Sequence, residues 1–458
     1  MSNYPYLKSY EELDASLQQL GLTLPLSDDL FILGKPLTFG GTKGCKKEYT
    51  LANRFVVQPM EGFDSEPDGA PSELCYRRYD RFAAGGASLI WFEATAVRHE
   101  GRCNSQQLWL HEGTVNQFAD LLEKTRNIAR QTCGHEIVSV LQLTHSGRYS
   151  KPTRGVKAPI VAQHNEVLGA PGRFEIPPDY PLITDDELDR LQDTFVEVAK
   201  LAARCGFEGV DIKACHGYLL NELLGARTRK GKYGGSYENR TRFIREIMTR
   251  VRDEVPEVFI TSRMNAHDGV PYPWGFGVKE GGAVSVAARK SDGGDLQWDS
   301  SEPKQLARDL VKIGTPMLNI AIGNPYYNPH YNRPYAKNIR GAVSFDENPL
   351  IGICRYVDIV REVQASQPDI PMIGAGMGWL RGLTPRVAAG IIATGAAQLY
   401  GQGRGSFAYP NAPNDIMSKG AMDEKKVCMA CSGCTELMRA EMPTGCVVHD
   451  QERYRLPN

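Results

Sequence analysis

No stretch of this sequence reaches the length of about 18 consecutive apolar residues that a membrane-spanning helix needs. The opening residues, MSNYPYLKSYEEL, also lack the basic stretch, apolar core and small-residue cleavage site of a secretory leader. A soluble, cytoplasmic protein with no membrane partner is the expectation. Charge of either sign is missing in bulk: 53 basic residues stand against 54 acidic ones, net −1, interspersed along the chain. A polyanion-binding surface draws on a basic excess, so nucleic acid is not an expected partner. A disulfide framework is absent too. Of eleven cysteines, Cys45, Cys75, Cys103, Cys133, Cys205, Cys215 and Cys354 stand singly, while Cys428, Cys431, Cys434 and Cys446 crowd together. That asymmetry points to a metal site.

What the sequence has is length and alternation. Its 458 residues, 41% hydrophobic, suffice for one large barrel with appendages. Short apolar runs at 54–58, 88–97, 136–143, 208–213, 258–264, 317–322, 371–374 and 396–401 read as strands. Amphipathic stretches at 71–84, 114–131, 184–205, 237–253, 302–313, 350–365 and 383–394 read as the helices between them. Eight such units predict an α/β fold, a (β/α)8 TIM barrel, with a doubly wound open sheet as the alternative. Residues 1–50 read as an N-terminal adaptor of one short helix and Pro- and Gly-punctuated loops, 51–415 as the barrel, and 416–458 as a cysteine-rich tail. Two long excursions, 144–181 and 265–301, are expected to lie over the barrel mouth.

Chemistry gathers at the predicted strand ends. In 208–213, Gly209, Asp211 and Lys213 share one face, and the loop that follows carries His216 and Tyr218. Ionisable groups at the C-terminal end of a barrel strand mark its catalytic face. On the third strand Val138, Val140 and Gln142 share a face, two apolar layers under an amide able to donate to and accept from a planar heterocycle. On the fifth, Phe259, Thr261 and Arg263 put a guanidinium at the same height, placed to stabilise an anion on a flavin pyrimidine ring. Two glycine-rich turns, Gly374-Ala375-Gly376-Met377-Gly378 and Gly401-Gln402-Gly403-Arg404, follow the last two strands, where barrels hold phosphate on bare backbone amides. Arg404 adds a forked cation. Cys428-x2-Cys431-x2-Cys434 followed by a distant Cys446 is the layout that wraps a [4Fe-4S] cubane, whereas zinc usually takes two separated pairs.

Several motifs together carry a family resemblance: Asn53-Arg54-Phe55 with Pro59-Met60, the run Gln142 to Arg148, His216-Gly217-Tyr218-Leu219, Tyr233-Gly234-Gly235-Ser236 with Asn239-Arg240 and Arg242-Phe243, and Gly403-Arg404. Over roughly residues 30 to 415 the chain resembles the old yellow enzyme family of FMN-dependent ene-reductases. Within it, the chain is most similar to the iron-sulfur flavoenzymes of the 2,4-dienoyl-CoA reductase, 2-enoate reductase and trimethylamine dehydrogenase group. The resemblance implies that Pro59, Met60 and Ala94 line the isoalloxazine, Gln142 and Arg263 bind its pyrimidine side, and Gly376, Gly403 and Arg404 hold the FMN phosphate. It also implies Tyr218 as proton donor and His216 as ligand of the substrate carbonyl. Lys213 stands where many members carry a histidine or related ligand, and Glu61 where smaller residues are usual.

The expected enzyme is thus an FMN-dependent reductase of the C=C bond of an α,β-unsaturated carbonyl, with electrons relayed through a [4Fe-4S] cluster on the four cysteines. An amine dehydrogenase that oxidises a C–N bond with the same cofactors is the alternative, although residues 59–65 lack the cysteine that tethers flavin in trimethylamine dehydrogenase. Tyr272, Trp274, Phe276, Tyr326, Tyr327 and Tyr331 are read as an aromatic roof suited to a flat acceptor such as a steroid enone or aryl enoate. Only 447–458 follow the last cysteine, too few for the FAD and NAD(P) domains of such relatives. The expected partner is therefore a separate electron donor, a ferredoxin or an NAD(P)H-oxidising flavoprotein, and a homo-oligomer is compatible with the sequence.

Overall fold

In the computed structural model, which describes residues 4–170, 174–281, 296–340 and 346–457, every predicted strand is present within a few residues of its expected position. Two additional strands precede them, β1 (Leu37–Gly40) and β2 (Glu48–Leu51), paired as an antiparallel hairpin. The eight expected strands are β3 (Phe55–Val57), β4 (Leu89–Ala96), β5 (Val138–Thr144), β6 (Gly209–Ile212), β7 (Phe259–His267), β8 (Leu318–Ile322), β9 (Met372–Gly374) and β10 (Leu399–Gln402). They pair in parallel in chain order, and β10 pairs with both β9 and β3. That last ladder closes the sheet into a (β/α)8 barrel and excludes the open doubly wound alternative. No helix among the described residues is long and apolar enough to cross a membrane.

The helices begin and end where the sequence supplies caps. Helix Asp185–Cys205, for example, starts at Thr184, whose side chain accepts from the Glu187 amide while Glu187 reaches back to the Thr184 amide, and stops at Gly206 with φ +93°. Its buried face, including Leu188, Leu191, Phe195, Val198 and Ala202, packs on the barrel wall.

Inside the barrel the side chains form layers. Val56, Leu89, Trp91, Val138, Val140, Phe259, Ile373 and Leu399 make one apolar cluster with Phe39, Cys45, Tyr49 and Leu51 of the hairpin. The stretch read as adaptor loops is therefore a floor closing the N-terminal end of the barrel. The misreading has a simple cause: each hairpin strand is only four residues long, too short for alternation to stand out among turn residues. Phe259 is the floor's centre, with ring centroids 5.5 Å from Phe39 and 5.1 Å from Tyr49, both edge-on.

Above the apolar layers lies a polar one. Asp211 on β6 accepts from Trp91 Nε1 at 2.8 Å, from Gln142 Nε2, and from the Arg263 amide at 2.7 Å. Gln58 and Asn319 exchange amide hydrogen bonds across the barrel. Gly401 lets Gln58 in, since a Cβ there would sit 2.1 Å from its Nε2. Apolar floor, polar ceiling and open strand ends define the functional face.

The floor makes a measurable contribution. Phe259→Ala is expected to lower unfolding stability by about 3–5 kcal/mol, the usual cost of emptying a buried aromatic site. Urea unfolding followed by tryptophan fluorescence measures it, and a loss below about 1 kcal/mol would show that the hairpin does not brace the barrel.

Candidate active site

The loop after β3 carries Pro59, Met60 and Glu61 and is fixed from beneath by a buried charge network. Arg78 bridges Asp64 and Glu93, the Gly62 amide donates to Glu93 Oε2 at 2.7 Å, and the Thr444 amide donates to the Gly62 carbonyl at 2.6 Å. Only glycine fits at 62, because a Cβ would lie 2.1 Å from Arg78 Nη1. Burial raises the Glu93 carboxyl to about 7 against the opposing pull of Arg78. Asp64, Cys75 and Glu93 are close enough to hold an ion, but Arg78 already occupies both carboxylates.

The loop after β6 takes a left-handed turn at His216 (φ +65°) and Gly217 (φ +76°). Asn265 Oδ1 accepts from the His216 amide and Asn221 Oδ1 from the Gly217 amide. A non-glycine residue at positive φ is strained and persists where its surroundings enforce it. The turn aims Lys213, His216 and Tyr218 into one cavity of about 170 Å³. Asn332 donates one amide hydrogen to the Ile322 carbonyl and the other to His216 Nε2 at 2.9 Å. The imidazole proton therefore resides on Nδ1. Burial, with Arg263 and Lys213 adding repulsion, drives His216 well below its ordinary pKa, so the ring is neutral. Tyr218 is pushed the other way, well above the ordinary phenol value, by burial first and then by Cys103, Glu61 and Tyr326. It keeps its proton at any physiological pH. Lys213 lies 3.5 Å from Glu61 Oε1 and 3.9 Å above the Tyr218 ring, which answers what that ammonium is doing in place of a histidine.

The opposite wall is made of backbone and cations. Gly376 and Gly378, then Gly401, Gly403 and Arg404, line the same cavity with Arg263 and Arg333. A Cβ at Gly378 would meet nothing within 4 Å, so this backbone faces open space. Arg263 Nε, Arg333 Nη2 and Arg404 Nη1 are buried without hydrogen-bond partners. Burial, reinforced by neighbouring Arg404, pulls the Arg333 guanidinium down to about 9. Buried guanidinium nitrogens without partners, beside bare glycine backbone, fit the phosphate and ring of a flavin mononucleotide.

The cysteine segment folds back over this face. Cys428, Cys431, Cys434 and Cys446 are free thiols lining one small cavity with Arg404 and Phe407. Cys434, Arg404 and Phe407 also line the larger cavity, so the two share a wall. The chain winds around the thiols with positive φ at Ala430 and Ser432, and backbone amides of Ala430 and His449 donate to the sulfurs of Cys428 and Cys446. Among the described residues no three of these sulfurs lie within 4.8 Å of one another. N–H donors aimed at sulfur suit thiolate ligands of a metal centre.

Of the residues singled out from the sequence, the cavity gathers Pro59, Met60, Lys213, His216, Tyr218, Arg263, Gly376, Gly403 and Arg404. Ala94 and Gln142 do not line it: the Ala94 carbonyl accepts from Gln107, and Gln142 donates to Asp211. The aromatic roof is differently composed. Of the six residues read as a roof only Tyr326 lines the cavity; Phe276 is buried in the main core and Tyr331 packs on His267 and His330. Tyr326 instead stacks on Tyr149 at 3.7 Å, with Phe174 edge-on to both. Asn332, Arg333, Met438, Arg439 and Thr444 also line the cavity. They carry no signal in the sequence, because the first two lie at the C-terminal end of the short helix Pro329–Asn332 after β8 and the others belong to the cysteine segment.

Residues 35–381 match the model of the NADH:flavin oxidoreductase / NADH oxidase family. The chain belongs to that family. Its kinship with the old yellow enzyme type of FMN oxidoreductase, expected from the motifs, thus holds. The NADPH dehydrogenase of Bacillus pumilus is 34% identical over 230 residues, 48% of this chain and 62% of that relative, so the chain spans less than two thirds of the relative's length. Among solved structures, 2-naphthoyl-CoA reductase in complex with 2-naphthoyl-CoA superposes with TM-score 0.71 at 19% identity, covering 92% of this chain and 57% of that one. The old yellow enzyme homologue of Zymomonas mobilis gives TM-score 0.61 at 20% identity over 86% of this chain and 94% of that one. At such identities these two share the family's barrel fold.

One property of the site is directly measurable. His216 is expected to remain neutral with its proton on Nδ1 near pH 6, since its pKa lies well below the ordinary value. Nitrogen-15 NMR of histidine-labelled protein reads both ring nitrogens, and an imidazolium signal for His216 near pH 6 would contradict the assignment.

Proposed function

We propose that the chain reduces the carbon–carbon double bond of an α,β-unsaturated carbonyl compound, using FMN in the larger cavity and a [4Fe-4S] cluster on Cys428, Cys431, Cys434 and Cys446. Bound there, FMN supplies a hydride from N5 and the cluster supplies one-electron transfer. The observation that carries the reading is Tyr218, a buried phenol that retains its proton, on the same cavity wall as His216 and facing the glycine and arginine cradle.

Each residue has a definite task. Tyr218 gives its proton to the α-carbon as the β-carbon receives hydride. His216 offers the Nδ1–H to the carbonyl oxygen, and a neutral imidazole suits a donor that must not itself lose a proton. Arg263 provides fixed positive charge where a reduced flavin ring becomes anionic. Gly376, Gly403 and Arg404 hold the phosphate. Pro59 and Met60 support the ring. Tyr326, with Tyr149 stacked against it, offers the cavity an aromatic face suited to a flat acceptor such as an aryl enoate or steroid enone.

The competing reading, oxidation of an amine, fits this cavity less well. Lys213, Arg263, Arg333, Arg404 and Arg439 surround it against the single carboxylate of Glu61, and such a field repels an ammonium while stabilising an enolate. Electrons would arrive from a small one-electron donor, a ferredoxin or an NAD(P)H-oxidising flavoprotein. A cytoplasmic, reducing location keeps the thiols competent for cluster ligation.

Tyr218→Phe tests the assignment. The variant is expected to reduce its flavin normally but to be reoxidised by 2-cyclohexenone about 100-fold more slowly, the usual span for losing a general acid. Anaerobic stopped-flow absorbance follows both half-reactions, and an unchanged oxidative half-reaction would remove Tyr218 from the chemistry.

A further inference from the structure

We propose that Glu61 resupplies Tyr218 with the proton it gives up in each turnover, while Lys213 neutralises whichever of the two is the anion. The inference rests on the reading of Tyr218 as proton donor and concerns what must happen next. A phenol that is 2% exposed cannot draw its proton straight from bulk water, and a buried phenolate left behind is costly.

Three groups touch the Tyr218 hydroxyl: Glu61 Oε1 at 3.4 Å, Tyr326 Oη at 3.3 Å and the Cys103 thiol. Only Glu61 is a carboxyl, a class about six pKa units more acidic than a phenol, so a proton passes from its acid form to a phenolate downhill. Burial raises both the Tyr326 phenol and the Cys103 thiol, the latter to about 12, and makes them slower proton carriers. The Glu61 side chain retains 12% exposure against 2% for Tyr218, so of the two it is the one open to solvent. Gln107 Nε2, 3.5 Å away, tethers the same oxygen.

Lys213 completes the device. Its ammonium is 3% exposed, 3.5 Å from Glu61 Oε1 and 3.9 Å from the centre of the Tyr218 ring. One cation thus faces two groups that share one proton. Before the chemical step Tyr218 is neutral and Glu61 carries the negative charge. In the step the Tyr218 O–H bond breaks and an α-carbon C–H bond forms. Glu61 then takes up a proton from hydronium or a buffer acid that reaches the cavity, whose conjugate base returns to bulk; the Glu61 O–H bond breaks as the Tyr218 O–H bond re-forms, and the carboxylate returns. No electrons move in the relay, the hydride having come from reduced flavin, and one proton is taken up per double bond reduced. The carboxylate–ammonium pair that replaces a conventional ligand at 213 thereby has a task other than holding the carbonyl.

The test compares first and later turnovers. Anaerobic enzyme with bound FMN is reduced with dithionite and mixed with 2-cyclohexenone for a single turnover, then cycled with reduced methyl viologen for many. In Glu61→Gln the first turnover proceeds on the proton that Tyr218 already holds, while steady turnover is expected to fall at least about 10-fold, within the range for losing an acid–base group. Raising imidazole buffer at constant pH and ionic strength is expected to restore it, an effect that loss of a merely structural contact does not produce. The groups facing Glu61 are Lys213, Cys215 and Tyr218 from the loop after β6, Cys103 from that after β4, and Tyr326 from that after β8. The difference between wild type and Glu61→Gln in steady turnover is expected to widen as pH rises and protons become scarce.

Tyrosinate absorbance near 295 nm, taken as the difference from Tyr218→Phe, gives a readout independent of turnover: removing the Glu61 charge is expected to lower the pKa of Tyr218. If Glu61→Gln fails to retain FMN, Glu61→Asp decides in its place, keeping an acid and hence steady turnover independent of buffer. Equal losses in first and later turnovers, or buffer-dependent turnover in Tyr326→Phe but not in Glu61→Gln, would overturn the relay. A normal first turnover in Tyr218→Phe would instead overturn the underlying reading of the donor.

Discussion

Positive charge buried at the mouth of the barrel is the constraint on which the rest of the structure depends. Arg263, Arg333, Arg404, Arg439 and Lys213 converge on one cavity that contains a single carboxylate, and several of their nitrogens have no partner. A desolvated cation without an anion is costly. In the proposed enzyme those anions are brought in: a phosphate at the glycine turns, an electron-rich flavin ring, an enolate oxygen at His216, and thiolate sulfur behind Arg404. Arg404 is central because it belongs to both cavities and acts electrostatically on Cys428 and Cys434.

This constraint also accounts for how the C-terminal segment is attached. Its helix Gly433–Arg439 forms part of the cavity wall, Arg333 donates to Ser432 Oγ, Arg439 donates to the Pro325 carbonyl, and Asp450 is clamped by Arg77 and Arg81. The Thr444 amide holds the Gly62 carbonyl directly beneath the loop that presents Glu61. Loss of the cysteine segment's fold would thus loosen the loop under the flavin as well as the thiols. A single helix, Glu73–Ala83, supplies Arg78 to the buried Asp64 and Glu93 and Arg77 and Arg81 to Asp450, so one element sets the height of both.

Much of this was legible in the sequence because strand periodicity is a local property. Val138, Val140 and Gln142, or Phe259, Thr261 and Arg263, reveal their common face from spacing alone, and the glycine turns after the last two strands announce themselves by composition. What escaped depends on contacts far apart along the chain. Phe39 and Tyr49 are ordinary hairpin residues until Phe259 lies over them. Gln142 reads as a free amide until Asp211 claims it. Of the aromatics read as a roof only Tyr326 lines the cavity, because aromatics packed in the core and aromatics lining a cavity look alike in sequence. Glu61 was conspicuous, but nothing in its sequence neighbourhood specified that it meets Lys213 and Tyr218 from two other strand ends.

In the proposed enzyme two redox groups share the wall formed by Arg404 and Cys434. Cofactor analysis of protein purified without exposure to oxygen tests this most directly, by flavin release and by iron, sulfide and zinc determination on the same sample. One non-covalent FMN and about four iron with matching sulfide per chain is the predicted result, as four-thiolate ligation of a cubane requires. Stoichiometric zinc without iron, or iron in a protein that binds no flavin, would contradict it.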